Sequence, residues 1–151
     1  MAKRVIFNKS EPILHKVCRP VEKFDDKLAA ILDDMHETLS EANGVGLAGP
    51  QVGFLRRFCI IDAGEGYYEL INPEIIESSG SQRDVEGCLS CPHEWGYVTR
   101  PMHVKFRAYD RNGKLYEKEA DGLFARAVCH ECDHLQGKLF VDLVEEFVEE
   151  N

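Results

Sequence analysis

Apolar residues recur at helical spacing near the start of the chain. Between residues 26 and 42 they follow one another at three- and four-residue steps, which predicts an amphipathic helix with a single apolar stripe. That stripe consists of Leu28, Ile31, Leu32, Met35, Leu39 and Ala42. Asp25 can cap the first turn, and Asn43-Gly44 supplies the left-handed backbone that commonly follows the last turn.

A second helix is predicted further along the chain, from about Asp121-Gly122 to Leu135. Its apolar residues, Phe124 and Val128 among them, point to most sides rather than to one. Gly137 stands where a left-handed residue commonly ends a helix. Because a helix that is apolar on most sides must be covered on most sides, we expect this one to be central and buried.

Strand-like runs occupy the segment between the two helices. Residues 58–61 and 67–76 are rich in β-forming residues. These two runs are bounded by Gly64, Gly66 and Pro73. Residues 104–109 alternate in polarity, and Asn112-Gly113 predicts a two-residue turn into a return strand over 115–120. Since the elements do not follow a βαβ order, the predicted class is α+β, with antiparallel strands packed around the second helix.

Composition narrows the possible functions. The length of 151 residues predicts one domain over 1–151. With 18 Lys and Arg against 27 Asp and Glu, the formal net charge is −9, which argues against direct nucleic-acid binding. No apolar run approaches the roughly 18 residues that cross a bilayer, and the first residues do not resemble a signal peptide. We therefore expect a cytoplasmic protein with no membrane partner, whose six cysteines stay reduced.

An H-E-x-x-H motif lies within the second predicted helix, at residues 130–134. Residues four apart lie one turn apart on a helix, so the imidazoles of His130 and His134 can bind one metal ion. Glu131 projects beside them, where it can accept a proton from metal-bound water. By contrast, His93 is expected in a proline-containing loop, and no second metal-ligating residue stands at ligand spacing from it in the sequence.

A hydrolytic metal site usually has three protein ligands and one open position for water. Phe140 stands where one protease pattern has its third histidine, and a phenyl ring cannot bind metal. The carboxylates available downstream are Glu145, Glu146, Glu149 and Glu150. Because a terminal segment holds a ligand poorly, we expect the third ligand upstream, where Cys88 offers a thiolate.

Three blocks together resemble the peptide deformylase family. They read Gly-Val-Gly-Leu-Ala-Gly-Pro-Gln over 44–51, Glu-Gly-Cys-Leu-Ser over 86–90 and His-Glu-Cys-Asp-His over 130–134. Their order and spacing match the family, and the similarity continues through residues 135–142. Each block alone is moderately specific, whereas all three in order are very specific, and the resemblance covers essentially the whole chain.

The resemblance implies a metal site and a reaction. The implied metal ligands are Cys88, His130 and His134. The native ion would be Fe(II), with nickel, cobalt or zinc able to substitute. Glu131 would act as general base and then as acid. The Gln51 side chain and the Leu89 backbone N–H would stabilise the oxyanion formed as water attacks the formyl carbon.

The substrates implied by the resemblance are N-formylmethionyl nascent peptides, which release formate. The Gly46 backbone would help to bind them, and Leu123 and Ala127 are candidates for the pocket that takes the methionine side chain. Glu86 would pair with Arg100, the position that matches the family's arginine, and the resemblance places both among the substrate-binding residues.

The sequence departs from common family patterns in three places. Ala48-Gly49-Pro50 replaces a more usual Ala-Ala-Thr run before the glutamine. Trp95 stands where some members have a substrate-contacting arginine, which leaves the preference beyond methionine open. The chain ends soon after Asp142, so at most a transient contact with the ribosome is expected.

Two alternatives compete with this interpretation. The first is a non-enzymatic zinc module with four thiolate ligands. Its ligands would be Cys88, Cys91, Cys129 and Cys132. The second is an H-E-x-x-H endopeptidase. A Gly-x-Gly-x-x-Gly run at 44–49 also occurs, but it follows a predicted helix rather than a strand, which argues against dinucleotide binding.

Overall fold

The computed structural model describes residues 3–149, in which two α-helices combine with antiparallel strands. The helices are α1 (Asp26–Glu41) and α2 (Gly122–Leu135). The strands are β1 (Gly46–Ala48), β2 (Phe58–Asp62), β3 (Tyr67–Ser79), β4 (Gln82–Cys88), β5 (Cys91–Arg100), β6 (His103–Tyr109), β7 (Leu115–Asp121) and β8 (Glu146–Val148). The predicted α+β class is confirmed. Neither helix of this part of the chain is long and apolar enough to cross a membrane.

A five-stranded sheet, in the order β1-β2-β3-β6-β7, is covered by a helix on each face. Phe58 and Ile60 of β2 pack in the cluster that contains the apolar stripe of α1. Cys59 and Ile61 point the other way and pack in the cluster that contains α2. Because successive side chains of a strand point to opposite faces, a strand buried on both sides is a continuous apolar run.

Helix α2 lies between this sheet and a second one, which has the order β4-β5-β8. Phe124 and Val128 of α2 pack against the five-stranded sheet. On its other side Arg126 and His130 bond to a carboxylate of β4. The predicted central position of this helix is therefore confirmed, and the helix is the element that connects the two sheets.

The predicted helix ends are also confirmed. The Asp25 carboxylate accepts a hydrogen bond of 3.0 Å from the Leu28 backbone N–H. Asn43 follows α1 with φ 55°, and Gly137 follows α2 with φ 77°. Ala42, predicted to continue the apolar stripe, is instead exposed at the C-cap of α1.

The predicted two-residue turn at Asn112-Gly113 is wrong. Tyr109 pairs with Leu115, so the connection spans residues 110–114. Within residues 110–114 only Gly113 has a positive φ, 82°, whereas a two-residue type I′ turn needs two such residues. The Asp110 carboxylate accepts hydrogen bonds from the backbone N–H groups of residues 112 and 114, which stabilises the longer loop.

Two further expectations about strands need correction. Pro73 does not bound the third strand but lies inside β3, at a shift in register between Ile71 and Glu74, where proline's missing N–H is tolerated. His93 does not lie in a loop but in β5, which forms a hairpin with β4.

Gly137 allows a test of how tightly α2 is anchored. A Cβ at this position would lie 2.8 Å from the His15 carbonyl carbon. We expect Gly137→Ala to destabilise the fold by about 3 kcal/mol or more, because left-handed strain adds to a backbone clash. Gly64→Ala is the matched control, since Gly64 has φ 89° and nothing within 4 Å; it should cost about 1–2 kcal/mol. Urea unfolding measures both, and equal losses would contradict the clash.

Candidate metal centre and active site

Helix α2 and strand β4 bring three potential metal ligands together. His130 and His134 lie one turn apart on α2, with ring centroids 5.0 Å apart. Cys88 ends β4, and its Sγ lies 3.3 Å from Nε2 of His134. The three ligand atoms all lie within 4.8 Å of one another, and no other such group of three occurs among residues 3–149.

The residues present fit a divalent transition metal. A thiolate and two imidazoles are a ligand set that such ions commonly take, with a further position left for water. Burial lowers the pKa of His134 well below its usual range, so this imidazole is neutral and able to coordinate. Its Nε2 faces Cys88, and no group of residues 3–149 bonds to its buried Nδ1.

A buried charge network around Glu86 supports the first histidine. The Glu86 carboxylate lies 2.6 Å from Nδ1 of His130, which leaves Nε2 of that ring to face the other ligands. It also accepts two hydrogen bonds from Arg100, at 2.7 and 3.1 Å, and one from Arg126. Arg100 in turn donates to Asp133 at 2.6 Å. The pairing of Glu86 with Arg100 implied by the resemblance is thus present.

Charge within the network fixes the protonation of its members. Burial opposes ionisation of Glu86, but the bonds from His130 and Arg100 outweigh it and hold the Glu86 pKa well below its usual value. Burial also disfavours a charged His130, yet the bond to Glu86 raises its pKa overall. Glu86 is therefore an ionised partner that orients His130.

Arg126 belongs to this network, although we did not predict it. It precedes His130 by four residues, so the two side chains project from the same face of α2. The four-residue spacing is the signal in the sequence. It places an arginine on the face of α2 that carries the ligands, and a cation buried there needs a buried carboxylate nearby.

Glu131 lies beside the ligands and is almost wholly buried, at 3% exposure. Its Oε1 has no hydrogen-bond partner within residues 3–149. Burial raises the pKa of Glu131 to about 7. A Cβ on Gly46 would lie 2.5 Å from the other carboxylate oxygen, so a side chain at position 46 would displace this group.

Gln51 directs its amide nitrogen toward the ligands. Its Oε1 accepts a hydrogen bond of 2.9 Å from the Ala48 backbone N–H. Its Nε2 donates to Ser90 Oγ at 3.0 Å and lies 3.6 Å from Cys88 Sγ. Ser90 therefore helps to hold the amide in place. It is the last residue of the 86–90 block, but we predicted no role for it from the sequence.

A cavity of about 680 Å³ opens onto Cys88, His130 and Glu131. The implied substrate-binding residues that line it are Gly46, Glu86, Ala127 and Leu123, the last with 53% exposure, whereas Arg100 does not line it. Leu89, which was assigned to the oxyanion, lines it as well. Trp95 also lines the cavity, where its indole ring covers Gly87.

The four-thiolate alternative is wrong, because Cys129 and Cys132 pack in a different cluster from Cys88 and Cys91. Among residues 3–149, the group that can hold a metal contains Cys88 but not Cys91, Cys129 or Cys132. Cys132 packs instead in the core cluster of the five-stranded sheet. Phe140, at the position of a protease histidine, stacks beside His130 with centroids 6.0 Å apart.

Fold and site together define a class of protein: a metal-dependent hydrolase in which a neighbouring strand places a cysteine against the two histidines of an H-E-x-x-H helix. A family model described as polypeptide deformylase matches residues 3–150, and the chain belongs to this family. Membership makes it an enzyme that removes the N-formyl group from nascent peptides.

Individual relatives agree along nearly their full lengths. The peptide deformylase of Caldicellulosiruptor bescii is 57% identical over 150 residues, covering 99% of this chain and 90% of the relative. Peptide deformylase 1 of Clostridium acetobutylicum is 53% identical, covering 97% of each chain. The crystal structure of the Thermotoga maritima peptide deformylase superimposes with a TM-score of 0.94 at 38% identity, covering 96% of this chain and 99% of that one.

The raised pKa of Glu131 predicts a pH effect on the metal-free protein. The carboxyl has a pKa of about 7 in the fold against 4.5 as its ordinary value. Between pH 4.5 and about 7 the folded state therefore binds more protons than the unfolded state. The free energy of unfolding falls as the pH rises through this window. We expect wild type to lose about 3 kcal/mol relative to Glu131→Gln between pH 4.5 and 7.5. Urea unfolding of both chelator-treated proteins measures this, and a constant difference would contradict it.

Proposed function

We propose that this enzyme hydrolyses the formyl amide of N-formylmethionyl nascent peptides with Glu131 as general base and acid. The observation that carries the proposal is the convergence of the three ligand atoms beside the buried carboxylate of Glu131. This carboxylate lines a cavity, and its Oε1 bonds to no group of residues 3–149. The ligand roles go to Cys88, His130 and His134.

We assign Fe(II) as the native ion, with nickel, cobalt or zinc able to substitute. A divalent metal at this position would supply Lewis acidity, which lowers the pKa of a bound water and polarises a carbonyl oxygen. The protein's part is to hold its ligands in fixed protonation states. Glu86 does this for His130, and burial does it for His134.

Glu131 has the position and the pKa that proton transfer requires. A carboxyl whose pKa lies near 7 can accept a proton from the attacking water and return it to the departing amine. Its Oε1 is free of protein partners within residues 3–149, so it can bond to water. The products are formate and a peptide with a free methionine amine.

Two donors are assigned to the oxyanion. The Gln51 amide nitrogen is aimed at the ligands because Ala48 and Ser90 fix both ends of the side-chain amide. The Leu89 backbone N–H follows Cys88 directly in the chain and lies at the cavity wall. Donors of this kind typically lower the barrier by about 3–4 kcal/mol each.

The substrate is assigned to the cavity wall formed by β1, β4 and α2. The Gly46 backbone would bind the peptide, since the absence of a side chain leaves room beside Glu131. Ala127, buried in the cavity, and Leu123, at its rim, would contact the methionine side chain. Glu86, which lines the cavity, and its partner Arg100 complete the assigned substrate-binding residues and would keep this wall rigid.

We further propose that residues 1–151 act as one catalytic domain in the cytoplasm. The partners assigned are nascent peptides, with at most transient contact with the ribosome. The formal charge of −9 disfavours direct binding of nucleic acid, and no membrane partner is assigned.

Formate release tests the reaction and the role of Glu131. We expect the enzyme to release formate from a formyl-Met tripeptide without cleaving casein, whereas an H-E-x-x-H endopeptidase would do the reverse. Glu131→Gln should keep its metal and lose turnover by about 10² to 10⁴-fold, since a general base is removed. Near-normal turnover of metal-loaded Glu131→Gln would refute the assigned role.

Elemental analysis tests the ligand set and the metal. Anaerobically purified wild type should contain iron, and aerobic preparations should lose activity that nickel or cobalt restores. Cys88→Ala should lose the metal, because two imidazoles alone bind far more weakly than a three-ligand site. Cys91→Ser is the matched control and should retain it. Equal metal loss in both variants would mean that Cys88 is not the specific ligand.

A further inference from the structure

The turn between β4 and β5 places a second cysteine directly opposite the assigned metal ligand. Cys88 and Cys91 are paired across the hairpin, with only Leu89 and Ser90 between them. Paired residues of antiparallel strands have Cα atoms about 4.5–5.5 Å apart. A disulfide requires about 4.4–6.8 Å, so the backbone already has the spacing that a bridge needs.

The side chains of this pair also lie in one cluster. Cys88 packs against the small group in which Cys91 is buried with Val98 and Phe140. All six cysteines lie within residues 3–149, and of them only Cys88 and Cys91 line the cavity. A small oxidant that enters the active site therefore meets this pair and not the other four.

Cys91 has no part in the proposed reaction. It is not in the group of ligand atoms, and it is 1% exposed beside apolar side chains. A small apolar residue would fill that space equally well, so a thiol at this position adds chemistry that the packing does not require.

We propose that Cys88 and Cys91 form a reversible oxidation site for peroxide, which closes a disulfide and releases the metal. The inference rests on the proposed function only in taking Cys88 as a metal ligand. Once its sulfur is bonded to Cys91, Cys88 has no thiolate to offer the ion. Cys91 thereby protects the ligand from irreversible oxidation, since reduction of the bridge restores both thiols.

The chemistry balances with hydrogen peroxide as the oxidant. The Cys88 sulfur attacks one peroxide oxygen, the O–O bond breaks, and a sulfenic acid and water result. The Cys91 sulfur then attacks the Cys88 sulfur, forming the S–S bond and expelling the sulfenic oxygen as water. In total two thiols and one peroxide give one disulfide and two waters, with both sulfurs oxidised and the peroxide reduced.

Mass spectrometry of metal-loaded enzyme treated with limited peroxide tests the site. Trypsin should yield a fragment over 84–105, which contains these two cysteines and no others. In wild type we expect this fragment to lose two hydrogens as metal appears in solution. In Cys91→Ser, and in Cys91→Ala should the serine fold poorly, we expect two or three oxygens on Cys88. Cys129→Ser, a buried cysteine away from the cavity, should behave as wild type.

Recovery provides a second readout. Dithiothreitol followed by metal should restore wild type and leave the Cys91 variants at least about tenfold lower, since sulfinic and sulfonic acids resist thiols. Oxygenated Cys88 with free Cys91 in wild type would overturn the proposal. A disulfide formed while the metal stays bound would support the oxidation site and overturn Cys88 as ligand, so the two claims fail separately.

Discussion

The burial of the Glu86 carboxylate is the constraint on which the site depends. Removing an ionised carboxylate from water costs several kcal/mol unless charged donors surround it. Here the donors come from Arg100 on β5 and from Arg126 and His130 on α2. Satisfying one carboxylate therefore fastens the three-stranded sheet to the central helix. Because Cys88 follows Glu86 by two residues, the same bonds hold its sulfur close to the histidines.

The network also makes the two imidazoles unequal. His130 bonds through Nδ1 to an ionised carboxylate, which orients the ring and would strengthen it as a ligand through its other nitrogen. His134 has no such partner within residues 3–149. Burial first, and then the nearby positive charges of His130 and Arg100, lower its pKa and keep it neutral. Glu131, between them in sequence, is buried but outside the network, which is why its pKa rises while that of Glu86 falls.

A feature could be predicted from the sequence when its signal lies within a few neighbouring residues. This holds for helix α2, for the motif that it carries and for the left-handed glycine that ends it, and all three were predicted correctly. The β4–β5 hairpin was not, because its inward positions include Glu86 and Arg100, which are buried as ions. A strand whose core-facing side is charged does not show the apolar alternation that marks strands. The rule of apolar alternation fails for this hairpin because its buried face carries charged residues of the site instead of core residues.

The position of Cys88 beside the two histidines likewise depends on tertiary packing and not on the local sequence. After α2 the left-handed Gly137 turns the chain so that Phe140 packs against His130 and the β5 residues Cys91 and Val98. The downstream segment thus contributes an apolar wall where some H-E-x-x-H proteins contribute a ligand. A third donor then has to come from the facing strand, where Cys88 at the end of β4 lies 3.3 Å from His134. An identical helical motif therefore gives different metal centres, depending on which element the fold packs against it.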